Sequence, residues 1–232
     1  MTGGNPAPQS EGRRGPGRPK LGSEDKRARI LAEALRLFSA KGYAGTSLGA
    51  IARAADISKA GLLHHFTSKD ELFTAVLQER DDTTMADHPS FYSGDIRTVL
   101  HAWIGLVREN AGSSQEGTAL YTMLSGAVVD PEHPAHHWYA GHIRQAVETL
   151  ESAFEQSKKE GIVREDTPSR VLARTIVALS DGLQIQMLCA RADRGENPDI
   201  SLPYDTDMVA EFEEYVDAVL LRWLAPGVPK NP

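Results

Sequence analysis

Cysteine is nearly absent from this 232-residue chain, Cys189 being the only one. A single thiol excludes an intramolecular disulfide and any CxxC metal knuckle. Cys189 sits in an apolar helical stretch with no identifiable His partner, so it reads as a small buried hydrophobe rather than a nucleophile. Long apolar runs are missing too. No 18 consecutive apolar residues occur, and the Gly/Pro/Arg-rich N-terminus has no apolar segment of the signal-peptide kind. The expectation is a chain that works in a reducing cytoplasm, without a membrane span. Alternating strand patterns, internal repeats, glycine-rich phosphate loops, GxSxG elbows and HExxH pairs are all wanting. An enzyme would have no visible carrier for its chemistry, and neither cofactor nor metal is expected.

What is present is charge of opposite sign in two unequal parts. Residues 1–80 hold 13 Lys/Arg against 8 Asp/Glu, net +5; residues 81–232 hold 12 against 24, net −12. A basic first third joined to an acidic remainder fits one segment that meets a polyanion and another that does not. The sequence pI of about 5.6 conceals this split.

Periodicity predicts helices throughout. Residues 24–41 carry Ile30, Leu31, Ala34, Leu35, Leu37 and Phe38 as one buried stripe, and Gly42 supplies a stop. Leu48, Ile51, Ala52 and Ala55 give a short second helix capped by Thr46 or Ser47. Asp56, Ile57 and Ser58 break the period, and Ser58 caps a third short helix from Lys59 to Phe66. Helices joined by so brief a turn share a core only by crossing steeply, which is helix-turn-helix geometry. Thr67 to Glu71 then opens a fourth helix with a hydroxyl cap and acidic first turn. Its pattern fades near Arg80, and residues 81–94 read as a loop or as more helix before a hinge. Beyond lie helices over residues 95–110, 115–129, 134–160, 168–191 (capped by Thr167) and 205–224. The fold class is all-α: an N-terminal three-helix helix-turn-helix domain followed by a C-terminal helical bundle.

Residues 29–77, in particular Gly42-Tyr43, Thr46-Ser47, Ile51-Ala52, Ala55, Ser58-Lys59, Leu62, His64-His65-Phe66 and Ser68-Lys69, resemble the DNA-binding region of TetR-type transcriptional regulators. One departure is Leu63, where the family usually has a tyrosine whose hydroxyl contacts phosphate; His64 or Lys69 then takes more of that role. The resemblance implies a homodimeric regulator, a repressor released from a pseudo-palindromic double-stranded operator by a small-molecule effector. It also implies that the helix after the recognition helix couples ligand to DNA, and that the last two long helices form a four-helix dimer interface. The expected organisation is a basic arm at 1–23, a DNA-binding domain at 24–80, a ligand-binding and dimerisation domain at 81–225, and a tail at 226–232. An architectural DNA-binding protein of low sequence preference is the alternative.

The expected DNA contacts are Thr46, Ser47, Ser58, Lys59, Ala60, Gly61, His64, His65 and Lys69, with Arg14 and Arg18 from the arm. The run RRGPGRPK resembles an AT-hook: Pro holds the chain extended, Gly removes bulk, and Arg seeks the negative potential of a narrow minor groove. Lysine contacts to phosphate release counterions, so binding should depend on salt. Trp103, Tyr121, Trp138, Asp181 and Gln184 are the candidate effector contacts, with Met123 and Tyr139 as further possible wall residues. An apolar wall with few polar anchors is what a small-molecule site needs. The polar residues Asp181, Gln184 and Gln186 on the most apolar helix serve either a ligand or a dimer seam. His133, His136, His137 and His142 cluster, but their spacing places no pair on one helical face, so polar surface or a pocket wall is preferred to metal.

Overall fold

In a computed structural model that describes residues 23–112, 115–205 and 207–231, nine α-helices are present among the described residues. They are α1 (Ser23–Lys41), α2 (Leu48–Ala54), α3 (Lys59–His65), α4 (Lys69–Asp87), α5 (Ile96–Ala111), α6 (Gln115–Ala127), α7 (His136–Lys159), α8 (Ser169–Glu196) and α9 (Met208–Trp223). A single 3-10 turn, Pro89–Tyr92, follows α4. Among the described residues the one β-type pairing is an isolated bridge between Val163 and Leu224. Arg14 and Arg18, and with them the AT-hook reading, lie outside the described residues.

Local sequence accounts for the short helices. Ser47 accepts from the Ala50 amide at 3.2 Å, Ser58 from Gly61 at 3.0 Å and Ser68 from Glu71 at 3.0 Å. Each cap satisfies one free amide of a first turn and is worth about 1 kcal/mol. Between α2 and α3, Ile57 N–H donates to the Ala52 carbonyl at 3.0 Å and Asp56 N–H to Arg53 at 3.3 Å. These two bonds make a Schellman closure, which places its pivot residue in the left-handed region. That pivot is Asp56, at φ 53°, a conformation that Asp tolerates better than most residues because its short polar side chain bonds locally. Gly61 gives room in a different way: a Cβ there would stand 3.2 Å from the capping Ser58 hydroxyl, which would have to shift by a few tenths of an ångström.

Two buried clusters form the interior. The first gathers α1 to α4 around Ile30, Phe38, Ile51, Leu62, Leu72 and Phe73, and also takes in Leu120, Tyr121, Leu124, Val128, Ala135 and Tyr139 from α6, α7 and the segment between them. The second packs α5, the C-terminal half of α7, α8 and α9 around Leu100, Phe154, Ile176 and Phe212. The N-terminal core is therefore not confined to residues 24–80. Ser39 on α1 reinforces the attachment, its hydroxyl lying 2.7 Å from the Glu116 carbonyl. His133, before α7, sets its ring 5.8 Å from Tyr43 and 6.3 Å from Phe73.

Several expectations change. α4 runs without interruption through Arg80 to Asp87, because residues 81–87 lose apolar periodicity without losing helix-compatible residues. Thr167 does not cap α8. Pro168 holds the cap position, and the Thr167 hydroxyl donates to the Arg164 carbonyl at 2.5 Å. α8 is longer than its apolar pattern, reaching Glu196. Cys189 is exposed, on the outer side of α8.

Candidate nucleic-acid interface and effector cavity

The α2–α3 pair presents a small, wet face. Lys59, Ala60, Leu63 and His64 are exposed, as are the capping residues Ser47 and Ser58, while Gly61 and His65 are half-buried. Ser47 and Ser58 use their oxygens as acceptors, which leaves each hydroxyl proton available to a phosphate. Leu63, 40% exposed, offers an apolar surface where the resemblance calls for a hydroxyl. Lys69 is held rather than loose: its ammonium lies 4.1 Å from the centre of the Tyr43 ring, and the Tyr43 hydroxyl bonds to Asp70. Burial, and then Asp70, push the Tyr43 phenol up to about 12.

Thr46 corrects the expected set. It is 3% exposed, and its hydroxyl lies 2.9 Å from the Gly42 carbonyl and 3.1 Å from that of Leu37. Its one proton is committed to fastening the end of α1, so it has none to give a phosphate. Arg29 and Arg27 are likewise engaged internally. Arg29 donates to the Ala55 carbonyl at 3.0 Å, and Arg27 lies over the Phe66 ring while pairing with Glu79.

A second site lies where the two cores meet. A partly open cavity of about 120 Å³ lies between α4, the 3-10 turn and α5 to α8. Four of the five expected effector residues face it: Trp103, Tyr121, Asp181 and Gln184. Trp138 does not. It stacks on His142 at 5.3 Å and packs half-buried against the N-terminal core, with its Nε1 lacking a hydrogen-bond partner. Tyr139 stands behind Tyr121 at 4.8 Å, whereas Met123 is exposed and Gln186 points outward.

Among the residues that sequence reasoning missed are four from the far half of α4: Arg80, Asp81, Thr84 and Met85. Their spacing at i, i+1, i+4 and i+5 marks one helical face, but that signal was hidden because polar residues supply the face. His142 reaches from α7 to Asp81 at 3.1 Å, and His88 from the end of α4 to Glu109 on α5 at 2.9 Å. Two other members of the histidine cluster serve the chain itself: His136 meets the Val128 carbonyl at 2.7 Å, and His133 accepts from the Ala135 amide at 3.2 Å, while His137 is exposed. Among the described residues no group of three metal-ligating side chains converges.

Electrostatically the cavity is a site of dehydrated charge. Burial pushes the Asp181 carboxyl up, opposed by the charges of His142 and Arg80 and by a hydrogen bond from Tyr121. Burial also pushes the Arg80 guanidinium down and the Tyr121 phenol well up. Gln184, buried on α8, donates to the Thr122 hydroxyl at 2.7 Å and so spans α8 and α6.

A capped, steeply crossed helix pair with its second helix exposed defines a helix-turn-helix DNA-binding protein. Comparison with known proteins makes the class specific. The family described as bacterial regulatory proteins, tetR family, matches residues 30–76. The HTH-type transcriptional repressor Rv1474c of Mycobacterium tuberculosis is 30% identical over 187 residues, 78% of this chain and 90% of that protein. The HTH-type transcriptional regulator AcrR of Shigella flexneri is 41% identical over 108 residues, and the match spans only 50% of its length and 45% of this chain. The chain belongs to the TetR family. Its all-helical fold is shared with the SmeT–triclosan complex, at a TM-score of 0.71 and 18% identity over 88% of this chain and 94% of that one. It is also shared with a TetR-family regulator from Agrobacterium tumefaciens, at 0.65 and 20% over 88% and 100%.

Proposed function

We propose that this chain is a homodimeric repressor whose hold on a pseudo-palindromic operator is weakened by a small molecule in the cavity between the two cores. The observation that carries this reading is α4. Its first turn abuts the recognition helix through the Ser68 cap, and its last two turns supply Arg80, Asp81, Thr84 and Met85 to the cavity wall. A ligand that prefers one placement of those residues thereby prefers one placement of α3, and linkage requires that DNA and ligand bias each other equally. Base and phosphate contact fall to Ser47, Ser58, Lys59, Ala60, Gly61, His64, His65 and Lys69. The protein acts in the compartment that holds the chromosome.

Dimer contact falls to α8 and α9. Val171, Thr175, Ala178, Ile185 and Cys189 are exposed along one side of α8, at steps of four, three, seven and four residues, and Leu221 on α9 is 85% exposed. A two-fold axis through such a stripe would set two recognition helices about 34–36 Å apart, one turn of duplex.

Selection of bound fragments from random DNA tests the reading, and a single enriched, two-fold symmetric sequence is expected. Lys59→Ala should then lower affinity for that fragment about tenfold and flatten the salt dependence by roughly two counterions per dimer. Recovery of no enriched sequence would mean a DNA-binding protein of low preference. An unaltered affinity for Lys59→Ala would remove Lys59 from the interface.

A further inference from the structure

Five charged or ionisable groups face the effector cavity, Arg80, Asp81, Tyr121, His142 and Asp181, and they do not balance alike. Asp81 has His142 at 3.1 Å. Asp181 accepts from Tyr121 and, being a carboxyl group, lessens the cost of burial through a raised proton affinity. Arg80 has neither remedy. A guanidinium does not give up its proton in a protein. Among the described residues no carboxylate lies within ion-pair distance of it, and its side chain makes no hydrogen bond. It lies instead over the Tyr121 ring, 5.2 Å from the centroid, and is crowded by α6, where a Cβ on Gly117 would come 3.3 Å from its Nε. The charges of Asp81 and Asp181 support it from beyond ion-pair distance, and the ring face attracts it, but neither supplies the hydrogen-bonded ionic partner that this half-buried guanidinium lacks.

We propose, resting on the effector reading above, that the cavity takes a small aromatic carboxylate, with Arg80 holding the anion and Trp103, Tyr121 and Phe91 enclosing the ring. Size agrees. The space is about 120 Å³, close to the engineered protein cavity of about 150 Å³ known to hold benzene, so a single ring fits. The planar fork of Arg80 matches a carboxylate with two parallel N–H donors, as a lysine would not. Its seat on α4 places the ionic contact on the helix that leads to the DNA face. Asp181 works against an anion only in its ionised form, and burial already favours the neutral one.

The test uses the full chain and three probes of one shape: benzoate, benzamide and benzylamine, the last cationic at neutral pH. Titration calorimetry should show benzoate binding about tenfold or more tighter than benzamide, the advantage of a charge-assisted pair over a neutral one, with benzylamine weakest. Arg80→Gln should bring the benzoate-to-benzamide ratio to about one while leaving benzamide affinity little changed, which also reports that the cavity remains folded. Arg80→Lys should keep part of the preference. Benzamide or benzylamine binding as tightly as benzoate, a preference that survives Arg80→Gln, or failure of all three probes would each overturn the assignment. Affinity for the selected DNA fragment, measured on the same preparations, separates the two readings: intact DNA binding without charge preference sinks the anion alone, and absence of specific DNA binding sinks the regulator.

Discussion

The recognition face and the effector cavity place polar groups in opposite surroundings. On α2 and α3, Ser47, Ser58, Lys59 and His64 stand in water, and the hydroxyls that order the backbone are themselves exposed. In the cavity, Tyr121 is buried and Arg80 and Asp181 are half-buried, and burial moves their proton affinities accordingly. Exposed charges attract a polyanion over a distance and are screened by salt. Dehydrated ones act only at contact but discriminate strongly between ligands. The first arrangement suits a long, uniformly charged partner whose sequence is read by close approach of a small helix. The second suits a compact partner chosen for its charge and shape. Joining the two is a single helix, α4, with α6 packed against both.

The comparison is broken most severely at α6. Leu120 is buried in the N-terminal core although it lies 43 residues beyond Leu77, the end of the stretch that resembles a DNA-binding domain. If the recognition face depends on α6 for its support, Leu120→Ala should destabilise the protein by about 2–5 kcal/mol, as large-to-small changes at buried leucines do. Hydrogen exchange in α1 should accelerate with it, and operator affinity should fall at temperatures where the wild type is fully folded. Faster exchange confined to α6 would show the DNA-binding helices to be self-supporting, and the comparison would then be between two independent units.

A smaller effect separates ordering from recognition on α3. Ser58→Ala removes the cap on Gly61 and should cost about 1 kcal/mol of stability, measurable by urea denaturation. Lys59→Ala, one residue on, touches no capping bond and should cost nothing by the same measure while weakening DNA binding. If both substitutions lowered stability alike, Lys59 would be serving the fold and the division between the two neighbours would be lost.

Much of this was legible in the sequence, for reasons that differ by region. The helix-turn-helix could be read because its caps, its pivot and its apolar steps are local: Ser47, Ser58 and Ser68 each act within three residues. Trp103, Tyr121, Asp181 and Gln184 could be picked as polar or aromatic exceptions on apolar helices. Arg80 and Asp81 could not, because on a surface helix a charged run is the ordinary pattern and only α6 and α7 packing over them makes them interior. Thr46 failed as a DNA contact for a related reason. A hydroxyl at a helix start looks free until the carbonyls of Gly42 and Leu37, at the end of the preceding helix, are seen to claim it. Trp138 failed because α7 turns that side of itself toward the N-terminal core rather than the cavity.

The finest distinction between the two regions concerns their tyrosines. Tyr43 sits beside the recognition turn, only partly buried, bonded to Asp70 and covered by the Lys69 ammonium. Its phenol is pushed from the usual 10.0 to about 12, by burial first and Asp70 second, whereas Tyr121 in the junction is pushed further by burial. The unfolded chain gives up the Tyr43 proton near pH 10, and the folded chain keeps it to about 12. Between those values the native state binds more protons, so stability falls as pH rises; the contribution is whole below pH 10 and gone above 12. Tyr43→Phe should therefore flatten the alkaline loss of stability across that window, and ultraviolet difference absorbance should show one late-titrating phenol fewer. It should also free Asp70 and loosen Lys69, so a slight fall in operator affinity is expected even at neutral pH. An unchanged alkaline profile would mean that the Tyr43 hydroxyl is solvated like the rest of the recognition face, and that dehydrated ionisable groups belong to the cavity alone.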